Sequence, residues 1–159
     1  MLTVSDMTII VEPIGYVRGG RVEPLDDNWD AETCDIELDT KRFTAEALTG
    51  LEQFSHVDVV YQFDRVDEAE IVETARHPRG RTDWPKVGIF AQRGRVRPNR
   101  LGVTTCRLVG VDGARVTVRG LDAIDGTPVL DIKPYMRGFG PRGDVDEPAW
   151  ATELMADYW

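Results

Sequence analysis

VTTCRLVGVDGARVTVR, residues 103–119, decides the fold. Its second half alternates, with Val116 and Val118 on one side of an extended chain and Arg115, Thr117 and Arg119 on the other. That period of two marks a strand with one buried face. Val103–Val111 reads as the strand before it, and VDG at 111–113 as the hairpin turn, because Asp-Gly accepts the positive φ a tight hairpin needs. Upstream, His56–Phe63 alternates as well, placing Val57, Val59, Tyr61 and Phe63 on one face. Thr8–Tyr16, Thr33–Leu38 and Val87–Gln92 are further expected strands, while residues 17–32, rich in glycine and acids, read as a loop. Thr44 is placed to cap a short helix through AEAL, with Gly50 as its stop. Short strands at this spacing, joined by turns, indicate a mainly β protein: a small β-barrel with short peripheral helices.

The end of the chain differs in kind. Glu147-Pro148 opens an expected C-terminal helix, since proline suits a first turn. Trp150, Leu154 and Tyr158 recur at i, i+4 and i+8 and form an apolar stripe with Met155. Two covers for the stripe are open, the barrel itself or a second subunit. No repeat or linker interrupts the sequence, so residues 1–159 read as one domain.

At 42 % apolar residues the chain can bury a core without metals or cross-links. No run approaches the roughly 18 apolar residues of a membrane span, and MLTVSDMTIIVEPIG lacks the basic and apolar regions of a signal peptide. Cys34 and Cys106 stand in unrelated contexts, and neither they nor His56 and His77 show metal-site spacing. Two buried thiols in a cytoplasmic protein are the expectation, with no metal and no membrane partner.

The net charge of −9 disfavours a polyanionic partner until its distribution is examined. Between residues 76 and 107 nine basic side chains face a single acid, Asp83. That segment carries +8 and the remainder −17, an asymmetry able to focus an anionic substrate on one place. No GxSxG, P-loop, HExxH or strand-following GxGxxG is present, so the common hydrolase, nucleotide, zinc-protease and Rossmann sites are unsupported. What stands out instead are ARHPRGR at 75–81, GIFAQRGRVRPNRLG at 88–102 and GLDAIDGTPVLDIKPY at 120–135. Each delivers charged side chains and turns to the mouth of a β scaffold, where function concentrates.

With GLEQFSHVDVVYQF at 50–63, HPRG at 77–80, GIFAQR at 88–93, RPNRLG at 97–102, GLDAIDGTPVLDIKPY at 120–135 and the opening IGYVRG at 14–19, the sequence resembles the TsaA-like family, which includes the TrmO-type tRNA methyltransferases. The resemblance implies a β-barrel that binds S-adenosylmethionine without a Rossmann sheet, usually as a homodimer with the site near the subunit interface. It also implies methylation of N6-threonylcarbamoyladenosine beside the tRNA anticodon. By position, Phe63, Asp64, Arg93, Val103, Leu130, Asp131, Ile132 and Lys133 are the expected cofactor contacts. Arg79, Arg97, Asn99 and Arg100 are the expected substrate contacts, and Asp131 and His77 the candidate bases.

Three departures from the family pattern leave other readings open. RGGRVEPLDDNWD replaces a Pro-Arg-Gln-containing loop, Asp64 stands where histidine is frequent, and many tRNA-acting relatives continue beyond the position of Trp159. A methyltransferase of the same barrel acting on a small molecule, or a non-catalytic S-adenosylmethionine-binding module, are the alternatives.

Overall fold

A computed structural model describes residues 6–159. Its strands are β1 (Gly15–Arg18), β2 (Thr33–Leu38), β3 (His56–Gln62), β4 (Ala75–Arg76), β5 (Val87–Gly88), β6 (Leu101–Asp112), β7 (Arg115–Arg119) and β8 (Pro128–Pro134), followed by helix α1 (Ala149–Met155). Six of them close into an antiparallel barrel in the order β1-β2-β7-β6-β3-β8, while β4 and β5 form a separate two-stranded ribbon. Val17, Ile36, Val57, Val59, Val116, Val118 and Val129 point inward and are wholly buried. Their branched, compact side chains fit a pleated surface and fill the interior of so small a barrel.

The expected hairpin is there. Asp112 pairs with Arg115, and Gly113 turns the chain at φ 59°. A bulge between Leu108 and Gly110 ejects Val109, which is more than half exposed. Thr44 caps a short 3-10 turn over Ala45–Leu48 by accepting from the Glu46 amide at 3.3 Å.

Two strands differ from expectation. The first begins at Gly15, not Thr8, and runs through Val17 and Arg18, which sequence alone assigns to a loop. Pro13 has no N–H for a ladder, and Ile9, Ile10 and Val11 before it are exposed. The expected strand over Val87–Gln92 shrinks to the two residues of β5, because Ile89–Ala91 coil into a 3-10 turn. Helix α1 begins at Ala149, with Pro148 as its cap. Its stripe meets the body of the same chain: the Trp150 ring packs at 6.5 Å, tilted by 44°, against Trp84, whose indole N–H donates to Glu153 at 2.8 Å.

The antiparallel order sends the segments 19–32, 63–100 and 120–127 out of the same end of the barrel. The opposite end is plugged by Leu48 and Leu51 from the turns between β2 and β3. The last residues of the chain join the loop end, where carbonyls of Asp157, Tyr158 and Trp159 accept from the amides of Asn28, Trp29 and Asp30 at 2.9–3.2 Å.

Cys34 and Cys106 are buried free thiols. Burial first, and nearby carboxylates such as Asp35 for Cys34, push each to about 12. Thiolate is the reactive form, so neither cysteine should react with a disulfide reagent in the native protein at pH 8, and both should react at once in denaturant. Rapid labelling of the folded protein would show that the barrel opens far more readily than its packing implies.

Candidate active site

The outer face of β6, β3 and β8 carries Val103, Asp131 and Lys133 of the expected cofactor residues. Val60 pairs with Val103 on one side and Asp131 on the other, so the three form one row across the sheet. Arg93 approaches the row from the loop end, donating from Nη2 to the Val103 carbonyl at 2.7 Å. Leu101 and Val103 are exposed beside it. Leu130 occupies a bulge between Val129 and Asp131, because Tyr61 pairs with Val129 while Val60 pairs with Asp131. Strand β1 covers β8 only at Pro128 and Val129, leaving its ladder short of Leu130–Lys133.

Asp131 turns one oxygen to the Ile132 amide at 2.9 Å and the other to Lys133 Nζ at 3.3 Å. Both side chains are at least half exposed, so this pair contributes little to stability. Ile132 lies apart from the row. It pairs with the inward-facing Val59 and lines a cavity of about 430 Å³ with Leu48 and Leu51 at the plugged end. Phe63 sits at the loop end, half-buried, its ring edge-on to Tyr61 at 5.3 Å. Asp64 beside it is exposed.

The expected substrate residues hold the loops in place. Arg79 grips Asp27 with two nitrogens, at 2.8 and 3.3 Å. Arg97 donates to the carbonyls of Gln92 and Gly94, and Arg100 to that of Val66. Arg79, Asn99 and Arg100 have φ of 53°, 63° and 52°, a left-handed conformation unfavourable for branched carbon chains. Asn28 in the 19–32 loop has φ 64°, so every positive-φ residue other than glycine, among those described, lies in the segments at the loop end. His77 donates from Nδ1 to the Trp84 carbonyl at 2.8 Å, which fixes the proton there and leaves Nε2 as the accepting nitrogen.

The acidic loop is organised around Arg21. Its guanidinium binds Glu32 at 3.1 Å and the carbonyls of Leu25, Asp27 and Asn28, and lies 4.0 Å over the Trp29 ring. A cavity of about 560 Å³ opens inside this loop, lined by Glu23, Asp26, Asp27 and Glu32 among others. It shares no residue with the Arg93–Asp131 row. Because its walls are the loop's own turns around a saturated arginine, the row is the better candidate for a site.

Sequence reading missed Asp122. Its carboxylate accepts hydroxyls from Tyr61 at 2.9 Å, from Thr104 and from Tyr158. Burial and the nearby Asp122 charge push the Tyr61 hydroxyl well up, and raise Tyr158 too against the opposing charges of Arg79 and Arg93. Both tyrosines therefore stay protonated donors. The only signal was that Asp122 sits between Leu121 and Ala123, both buried, inside the GLDAIDGTP stretch. Among the described residues no cluster of side chains suited to a metal ion forms, and no helix is long and apolar enough to cross a membrane.

Residues 24–140 match the family described as tRNA-methyltransferase O N-terminal domain. The chain belongs to the TrmO family. It is 36 % identical over 146 residues to a probable S-adenosyl-L-methionine-binding protein of Pyrococcus abyssi, covering 89 % of this chain and 76 % of that one. Against the human tRNA (adenine(37)-N6)-methyltransferase it is 32 % identical, over 94 % of this chain but 34 % of the human protein. The crystal structure of TrmO from Pseudomonas aeruginosa superposes with a TM-score of 0.71 at 34 % identity, covering 88 % of this chain and 62 % of that one. The chain thus spans a third of the human relative and under two thirds of the solved TrmO chain. The barrel anticipated from sequence is the TrmO barrel.

Replacing Asp122 with alanine should destabilise the protein by about 1–3 kcal/mol, since buried hydroxyl donors lose their acceptor, as read from urea denaturation. Tyr158→Phe should cost less, yet speed hydrogen exchange at the Asn28, Trp29 and Asp30 amides. Unchanged exchange there would mean that the tail is held without its tyrosine.

Proposed function

We propose that the chain is an S-adenosylmethionine-dependent methyltransferase whose acceptor is N6-modified adenine in tRNA, next to the anticodon. Family membership supports the reading, and one observation carries it: the Arg93–Val103–Val60–Asp131 row offers a cation, an apolar strip and an anion in sequence. Those are the complements of a carboxylate, the methylene chain beside it and a sulfonium. Arg93 has further N–H donors beyond its bond to Val103 and no carboxylate within ion-pair distance among the described residues. It would hold the carboxylate, Val60 and Val103 would lie under the methylene chain, and Asp131 would face the positive field of the sulfonium.

The cofactor, when bound, supplies a methyl group already activated by its sulfonium. The residues of this chain then have the task of placement. If the acceptor nitrogen must shed a proton, His77 Nε2 and the Asp131 carboxylate are the receiving atoms this chain offers.

The same reading includes a homodimer covering the exposed Phe90 and Leu101 beside the row, and a cytoplasmic location consistent with two reduced thiols. A small-molecule acceptor is the second reading. It is favoured by the engagement of Arg79 by Asp27 and by the carboxylates of Glu23, Asp26 and Glu32 at the same barrel end.

Calorimetric titration with S-adenosylmethionine and S-adenosylhomocysteine, with and without tRNA, tests the proposal together with transfer of labelled methyl to tRNA. Both ligands should bind, and tRNA should accept the label. Arg93→Ala should weaken cofactor binding by more than about tenfold, as expected for loss of a charge-assisted fork. Unaltered affinity would remove Arg93 from the site, and binding without transfer to tRNA would favour the small-molecule reading.

A further inference from the structure

The turn from Gln92 to Arg97 gathers positive charge that its surroundings leave unneutralised. Gln92 is 7 % exposed. Its amide nitrogen donates to the carbonyls of Arg76, Val87 and Gly88, and its Oε1 accepts from Arg76 Nε at 3.2 Å. The outer part of the Arg76 guanidinium lies against Gly94, where a Cβ would overlap Nη2. Arg97 is drawn to the same spot, donating to the Gln92 carbonyl at 2.7 Å and that of Gly94 at 3.4 Å. Arg95 follows Gly94 directly and is exposed.

None of these three arginines has a carboxylate within ion-pair distance among the described residues, whereas Arg79 and Arg81 are matched by Asp27 and Asp83. The crowding is felt. Burial and then the charge of Arg95 hold Arg76 below its ordinary value, opposed by the charge of Asp26. A buried glutamine and a glycine that makes room thus press one guanidinium toward others of like charge, an arrangement an anion would relieve.

We propose that Arg76, Arg95 and Arg97 form a phosphate-binding turn that receives the phosphodiester backbone of a nucleic-acid acceptor. The proposal rests on the methyltransferase reading and assigns the acceptor's contacts to this turn, not to Arg79 or Arg100. An extended polyanion fits better than a small one, because the turn lies outside both cavities and presents open guanidinium edges. Arg93 links it to the row on the outer barrel face, so a strand lying on the turn ends beside the candidate cofactor residues.

The test is fluorescence anisotropy of a labelled anticodon stem-loop RNA over a range of salt, with S-adenosylmethionine affinity measured in parallel. Arg95→Gln should lower RNA affinity about fivefold at low salt and make the salt dependence shallower by about one phosphate contact, with cofactor affinity unchanged. Gly94→Ala, which displaces Arg76, should act in the same direction, with thermal unfolding as its control for folding. Arg107→Gln, an exposed arginine on β6, should leave the slope unaltered.

Wild-type RNA affinity and slope in Arg95→Gln would overturn the proposal, as would equal losses in Arg107→Gln or no RNA binding by the wild type. Loss of cofactor affinity with RNA binding intact would reassign the turn to a carboxylate. Displacement of RNA by inorganic phosphate far beyond that by chloride of matched ionic strength would reassign it to a small phosphate. If the wild type binds RNA as described but no S-adenosylmethionine, the methyltransferase reading falls and the turn stands.

Discussion

A six-stranded barrel filled by valine and isoleucine has no interior left for a ligand. Seven side chains with no exposed surface occupy the lumen of this one, at the density at which a protein core resists both voids and insertions. Everything the protein does to another molecule must therefore happen on the outer face or at the ends. The plugged end is covered by Leu48 and Leu51. The outer face of β6, β3 and β8 and the end from which the long segments emerge meet at Arg93.

At that end the arginines divide by what engages them. Arg21, Arg79 and Arg81 meet carboxylates, so their charge is matched within their own loops. Arg76, Arg95 and Arg97 crowd a turn without a counterion. A net charge of −9 gives no hint of this division; only the pairing within the fold separates a matched cation from an open one. Asp122 makes the complementary case. It is a carboxylate held by three hydroxyls, and it ties the barrel interior to the tail through Tyr158.

The barrel was legible from residues because its signals are local. Alternation in Val57–Tyr61 and Val116–Val118 and the Asp-Gly turn each act within a few positions. Pairing of the ends is not local, and there the reading failed. Thr8–Val11 has strand composition but pairs with no strand among the described residues, and Val87–Gln92 curls into a turn after two paired residues. The same distinction governs the site. Val103 and Asp131 were expected together through the family pattern, but that Val60 unites them is a matter of register. Asp122 stayed hidden because its partners stand 18, 36 and 61 residues away.

The left-handed backbone at Arg79 and Arg100 has an engineering consequence. Each holds an L-residue where glycine would relax, a difference of about 1–2 kcal/mol per position. A campaign to raise thermal tolerance would be drawn to these two codons, and glycine there would look like success by melting temperature. It would also delete the clasp on Asp27 and the tie to Val66. Selection for heat resistance alone would thus erode the loop end while hardening the barrel beneath it, so resilience and competence would have to be screened together.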